Sequence, residues 1–169
     1  MKNKPNQPIP LFKVYMAPTA KEKVGEVLDS GYIGQGPKVD EFEMQLGRYF
    51  GNEKVVTTNA GTSALHLALH LLKKPKPNWL KDAFQGIAWT QENWPGIEDG
   101  DEVLATALTC TASNWPIVAN NLKIKWVDID PTTLNMDLSD LERKITKKTK
   151  AIIGVHWGGY PLDLDKIRE

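Results

Sequence analysis

The stretch Lys54–Leu72, KVVTTNAGTSALHLALHLL, constrains this chain more than any other. Val55-Val56-Thr57-Thr58 is a β-branched run and reads as a buried strand. Asn59-Ala60-Gly61 reads as a turn, and Thr62-Ser63 open an almost wholly apolar helix from Ala64 to Leu72. A strand, a small-residue turn bearing hydroxyls and a helix start together make an anion site. First-turn N–H groups lack intrahelical partners and lie at the positive end of the helix dipole. Gly61 lets an anion approach the backbone closely, and Thr62 and Ser63 add hydroxyl donors. An ordinary capped helix after a strand fits the same residues, and spacing alone leaves both readings open.

Around this stretch the sequence divides into regular and irregular parts. Residues 1–10, MKNKPNQPIP, read as a loose polar arm, without the apolar centre of a signal peptide. Thr19-Ala20-Lys21-Glu22 has the form of a capping box, Val24, Val27 and Leu28 make an apolar stripe, and Gly31 fits just past the helix end. The loop Gly31–Pro37 holds three glycines and a proline, a pattern with little phosphate specificity of its own. Val39, Phe42, Leu46 and Phe50 stripe a second helix that Gly51 stops. Residues 73–98 carry Pro75, Pro77 and Pro95 with Trp79, Trp89 and Trp94, lack clean periodicity, and read as an insertion rather than a linker.

From Glu102 a regular alternation follows. Glu102–Ala107, Lys123–Ile129 and Ala151–Val155 read as strands, the last covered on both faces. Ser113–Asn121, with Pro116 in its first turn, reads as a helix, and so does the stripe Leu138, Leu141, Ile145. With the run at Val55, four strands separated by helices predict a three-layer α/β/α fold around a mostly parallel sheet. Sites in such sheets lie beyond the carboxyl ends of the strands. That rule gathers Asn59–Ser63, Leu108–Ser113, Asp128–Pro131 and His156–Gly159 at one edge.

Composition narrows the classes. The 21 Lys+Arg balance 21 Asp+Glu, which argues against nucleic acid or an anionic membrane as the main partner. No apolar run approaches the ~20 residues that span a bilayer. A single cysteine, Cys110, excludes an intrachain disulfide and fits a reducing cytoplasm. His66 and His70 share a helix face at i, i+4, but no acidic neighbour completes a zinc motif, so they read as core histidines. Asp128 and Asp130 read as turn and capping residues before acid–base groups. His156, at a strand end beside Trp157-Gly158-Gly159, is the stronger chemical candidate.

These residues are similar to a known family. From about Ile9 to Glu169 the chain resembles the N-terminal part of the large domain of DegT/StrS-type nucleotide-sugar aminotransferases, fold-type I enzymes that use pyridoxal phosphate (PLP). The resemblance rests on Gly31-Tyr32 through Gly36-Pro37 with Val39 and Phe42-Glu43, and on Asn59-Ala60-Gly61-Thr62-Ser63-Ala64-Leu65-His66. It continues in Gly100-Asp101-Glu102-Val103, Trp126-Val127-Asp128-Ile129-Asp130, Thr149-Lys150-Ala151-Ile152-Ile153 and Val155-His156. By resemblance Gly61, Thr62 and Ser63 hold the cofactor's phosphate, and His156 lies on the strand edge below the cofactor. Cys110 aligns with the aromatic residue that stacks on the pyridine ring in the family. Its smaller polarizable face implies weaker stacking, or a substitute such as Trp115 or Trp157.

The resemblance also implies the rest of the machine. The family transfers an amino group, usually from glutamate, to a nucleotide-linked keto-sugar, in active sites formed between two subunits. The Gly31–Pro37 loop would then serve the neighbouring subunit. The carboxylate that pairs with the pyridinium nitrogen and the Schiff-base lysine belong to later elements than any before Glu169. The expectation is therefore a truncated large domain over residues 11–169, inactive alone, which self-associates as a homodimer or binds a complementary chain. The alternatives are a non-catalytic remnant, half of a split enzyme, or a dehydratase relative with histidine at the lysine position.

Overall fold

A computed structural model describes residues 13–74 and 96–169. It divides them into two units, up to Thr57 and from Thr58. The expected arm at 1–10 and most of the expected insertion at 73–98 lie outside the described residues.

The first unit carries α1 (Ala20–Ser30) and α2 (Pro37–Phe50). Each helix ends on a glycine in the left-handed region, Gly31 at φ 76° and Gly51 at φ 64°, where a Cβ would be strained. The capping box does not form. Thr19 has helical φ and ψ of −84° and −5°, not the extended backbone that turns an N-cap oxygen onto the first turn, and its side chain caps nothing. α1 buries no residue, and α2 buries only Gly47.

The run at Val55 is the main departure from expectation. Residues 54–58 form no strand, and Val56 is 73% exposed. β-branched residues favour an extended backbone, but a strand exists only against a partner, and none is paired with this segment among the described residues. Thr57 instead donates its N–H and its hydroxyl to Glu43 Oε1, at 2.7 and 2.9 Å. These bonds hold the Glu43 carboxyl below its ordinary pKa.

Among the described residues the second unit is the expected three-layer sandwich, with three strands instead of four. Its elements are α3 (Gly61–Leu72), β1 (Glu102–Thr106), α4 (Thr111–Ala119), β2 (Lys123–Val127), α5 (Leu138–Lys144), β3 (Thr149–Ile153), a 3₁₀ turn at Trp157–Gly159, and α6 (Leu164–Arg168). The strands are all parallel in the order β2-β1-β3. β1 alternates its side chains between two cores, as a strand covered on both faces must. Val103 and Ala105 join Leu69, Ile97, Ile117 and Leu122 on the α3/α4 face. Leu104 joins Val127, Met136, Leu141 and Leu162 on the α5/α6 face.

Two local expectations change. β3 is an edge strand, so Ala151, Ile152 and Ile153 are half-buried rather than enclosed. α4 starts two residues earlier than expected, which places Pro116 past its first turn. There Pro116 is buried, and its carbonyl accepts both the N–H and the Nδ2 of Asn120.

Candidate functional site

Parallel strands put their carboxyl ends at one edge, and the order β2-β1-β3 marks where a crevice opens there. The chain leaves β1 for α4 on one face, whereas β2 and β3 both lead to elements on the other face. The loop after β1 therefore diverges from both neighbours, which is the topological switch point where ligands bind in open α/β sheets. Cys110 follows β1 and His156 follows β3, so the two expected residues flank one switch point.

α3 reaches the same edge because it runs alongside α4. The His66 and Trp115 rings meet edge to face at 5.3 Å, Asn120 Nδ2 donates to the His66 carbonyl at 3.2 Å, and Lys73 Nζ donates to the Asn120 carbonyl at 2.5 Å. The ring contact joins the middles of the two helices and the Lys73 bond their ends, while the Asn120 side chain reaches back to the middle of α3, so the helices run in the same direction. The start of α3, Gly61-Thr62-Ser63, lies toward the start of α4 at Cys110 and Thr111.

The α3 terminus is open. Its N-cap is Ala60, which has no side-chain oxygen, and no acidic residue occupies the first turn. The first intrahelical bond is Ala64 N–H to Ala60 O, so the N–H groups of Gly61, Thr62 and Ser63 precede the ladder. A Cβ placed on Gly61 would meet nothing within 4 Å. The Ser63 hydroxyl is already engaged, donating to Asn59 Oδ1 at 2.9 Å, and Thr58 Oγ1 donates to the Ala60 carbonyl at the same distance. These bonds shape the turn before the helix and leave the backbone donors open.

At the neighbouring β1 end, Cys110 is exposed and stands at the N-cap of α4, again without a side-chain cap bond. Asn114 Nδ2 donates to the Thr106 carbonyl at 3.0 Å, but its Oδ1 is buried and unpartnered among the described residues. A buried acceptor left open beside a ligand edge is the kind of atom that a ligand or water satisfies. Of the two aromatic substitutes for Cys110, Trp115 is committed to the His66 contact, and Trp157 opens the 3₁₀ turn after β3.

His156 is exposed, and its Nδ1 accepts the Leu162 N–H at 2.9 Å. A neutral imidazole accepting at Nδ1 carries its proton on Nε2, which leaves one N–H donor at the ligand edge. Asn135, a residue the sequence did not single out, ties down the loop that follows. It is buried, accepts the Trp157 N–H at 3.0 Å, and donates from Nδ2 to the carbonyls of Tyr160 and Pro161 at 3.1 and 3.2 Å.

The other singled-out residues serve structure. Asp130 Oδ1 accepts the N–H groups of Thr132 at 2.6 Å and Thr133 at 3.4 Å, which lowers its pKa. Asp128 Oδ1 accepts the Ile129 N–H. His70 is exposed and His66 half-buried, so neither is the fully buried core histidine expected. Both imidazoles sit on a helix whose buried face is carried by Leu69. Among the described residues, no group of three or more His, Cys, Asp or Glu could hold a metal, and no helix is long and apolar enough to cross a membrane.

Comparisons with known proteins bear on the family and the fold. The model of the DegT/DnrJ/EryC1/StrS aminotransferase family matches residues 15–78 and 86–169. Its gap falls within the stretch read as an insertion. The structure of AtS13 from Actinomadura melliaura is 49% identical with a TM-score of 0.77, covering 98% of this chain and 38% of that one. The sugar aminotransferase CalS13 from Micromonospora echinospora is 46% identical with a TM-score of 0.73, covering 95% and 37%. The E. coli GDP-4-keto-6-deoxy-D-mannose-3-dehydratase, solved with bound hydrated PLP, is 28% identical with a TM-score of 0.74, covering 94% and 36%. The chain spans about a third of the length of the curated relatives it matches.

Proposed function

Because this chain belongs to the DegT/DnrJ/EryC1/StrS aminotransferase family, we propose that it forms the phosphate-binding part of a PLP-dependent aminotransferase acting on nucleotide-linked keto-sugars. The observation that carries the reading is the uncapped start of α3, on a helix that runs alongside the helix leaving β1. Three consecutive backbone donors and the helix dipole suit a phosphate dianion. The residues fit the cofactor in this respect: among the described residues no side chain caps the helix, and Gly61 leaves the approach clear.

When bound, PLP supplies an electron sink and a carrier for the amino group. The chain's own residues do the holding and orienting. Gly61, Thr62 and Ser63 take the phosphate through their N–H groups, with the Thr62 hydroxyl as a further donor. His156 presents Nε2–H at the same edge, and Cys110 offers a small polarizable surface where the family places an aromatic ring. Amino transfer is favoured over dehydration because identity is 46% to the sugar aminotransferase CalS13, against 28% and 33% to two GDP-4-keto-6-deoxy-D-mannose 3-dehydratases. In the complete protein, glutamate is the amino donor, a second subunit closes the site, and the setting is the cytoplasm.

The test is titration of the isotopically labelled chain with inorganic phosphate and then with PLP, following the backbone amides by NMR. The amides of Gly61, Thr62 and Ser63 are expected to shift together and saturate. Saturable shifts elsewhere, with these three unmoved, would overturn the reading.

A further inference from the structure

We propose that Asn135 is a positioning residue for His156, and that its carboxamide holds the imidazole in the single tautomer that keeps the proton on Nε2. The bearing of this clamp on the reaction rests on the reading of His156 as part of the site.

The segment that follows His156 has little regular structure to hold it. It runs through a three-residue 3₁₀ turn in which Gly158 and Gly159 have φ of 58° and 84°, both in the left-handed region. Its internal bonds are two short-range turns, Gly159 N–H to His156 O at 3.0 Å and Tyr160 N–H to Trp157 O at 2.9 Å. The bond that fixes the imidazole, Leu162 N–H to Nδ1, spans six residues and forms only if the whole loop closes. A loop with two left-handed glycines does not close this way unaided.

Asn135 supplies the closure from outside. Its Oδ1 takes the N–H of Trp157, directly after His156, and its Nδ2 holds the carbonyls of Tyr160 and Pro161, directly before Leu162. One buried amide therefore grips both ends of the segment that the His156–Leu162 bond must bring together. Leu162 anchors the far end in the core, and a Cβ on Gly154 would stand 2.7 Å from Leu162 Cδ2, so the fit there is close. Asn135 is itself fixed, since its carbonyl accepts the Asp130 N–H at 2.9 Å. The loop after β2 thus clamps the loop after β3.

The chemistry of the grip is specific to an amide. Aspartate keeps the acceptor for Trp157 but loses both donors and would face two carbonyl oxygens with a carboxylate. Alanine removes all three bonds and leaves the Trp157 N–H and the two carbonyls without these partners.

The experiment reads the ring nitrogens of His156 by long-range proton–nitrogen NMR in the full chain, with Asn135→Asp and Asn135→Ala beside the parent. The parent should show the pattern of one tautomer, protonated at Nε2, and a parent protonated at Nδ1 would overturn the proposal outright. Both variants should lose that pattern and average the two tautomers. Asn120→Ala, which removes the buried amide between α3 and α4, serves as the structural control and should keep the single tautomer. A single Nε2–H tautomer in a folded Asn135 variant, or its equal loss in Asn120→Ala, would overturn the assignment. If neither Asn135 variant folds, the parent still decides: a single Nε2-protonated tautomer supports the clamp, and an average of the two tautomers overturns it. The phosphate response at Gly61–Ser63 is read separately, so failure of the cofactor reading and failure of the clamp are distinguishable.

Discussion

Two helix starts in the same sheet unit are treated in opposite ways. α5 begins at Asp137, whose Oδ1 accepts the N–H groups of Ser139 at 2.8 Å and Asp140 at 3.2 Å. Its first turn adds the buried Asp140, which accepts the Asp128 N–H at 2.7 Å, Arg143 at 3.0 Å and Lys144 at 2.6 Å. The Asp128 N–H, with help from Lys144 and Arg143, pulls the Asp140 carboxyl down to about 2. α3 begins at Ala60, with neither a cap nor a carboxylate. α5 is therefore satisfied from within the chain, and its charge fastens the end of β2. α3 is left with its donors open at the edge where three strands end. The contrast separates a helix start satisfied by its own side chains from one left open, which the proposed function assigns to a phosphate.

The largest effect is expected from making the two starts alike. Ala60 has extended backbone, φ −160° and ψ 152°, which is the conformation an N-cap requires. Ala60→Asp should cap α3 as Asp137 caps α5, and it places a negative charge where the phosphate belongs. Phosphate affinity of the chain should fall at least about tenfold, a change of ~1.4 kcal/mol. The helix should be stabilised by about 0.5–2 kcal/mol. NMR titration reads the first and denaturant unfolding the second. Undiminished phosphate affinity in the capped variant would erase the distinction between the two helix starts.

The reciprocal change is next in size. Asp137→Ala strips the cap from α5 and should cost about 1 kcal/mol of unfolding free energy. It should leave the phosphate response at Gly61–Ser63 unaltered, because α5 packs on the opposite face of the sheet. A new phosphate response at Ser139 would mean that any uncapped helix in this chain attracts anions. The start of α3 would then lose its special standing.

The same contrast explains what the sequence made legible. The β1-α4-β2-α5-β3 alternation was readable because each element carries its own period and β1 pairs with neighbours on both sides. The start of α3 was readable because a small-residue turn before an apolar run is a local property of consecutive residues. Val55–Thr58 was misread because a strand depends on a partner that propensity does not reveal. The Thr19 capping box was misread because the motif fixes residue types but not the backbone angle at the cap. Asn135 was invisible for a third reason. Its side-chain bonds reach positions 22 to 26 residues away, and a lone asparagine in a turn gives no sign of them.

The smallest effect tests why position 61 is glycine. Gly61 has no left-handed φ to protect, and a Cβ there would meet open space. If the residue served the fold alone, alanine would suit it better, because alanine loses less backbone entropy on entering a helix. Gly61→Ala should accordingly stabilise the chain, by about 0.4–1 kcal/mol. The new methyl group would project beside the first N–H donors and hinder close approach of a phosphate. Affinity should therefore fall by about threefold, a change of ~0.6 kcal/mol, even as stability rises. Opposite signs from one methyl group would mark Gly61 as retained for the ligand at the expense of the helix. A gain in stability with phosphate affinity unchanged would show that the α3 donors are reached from another side.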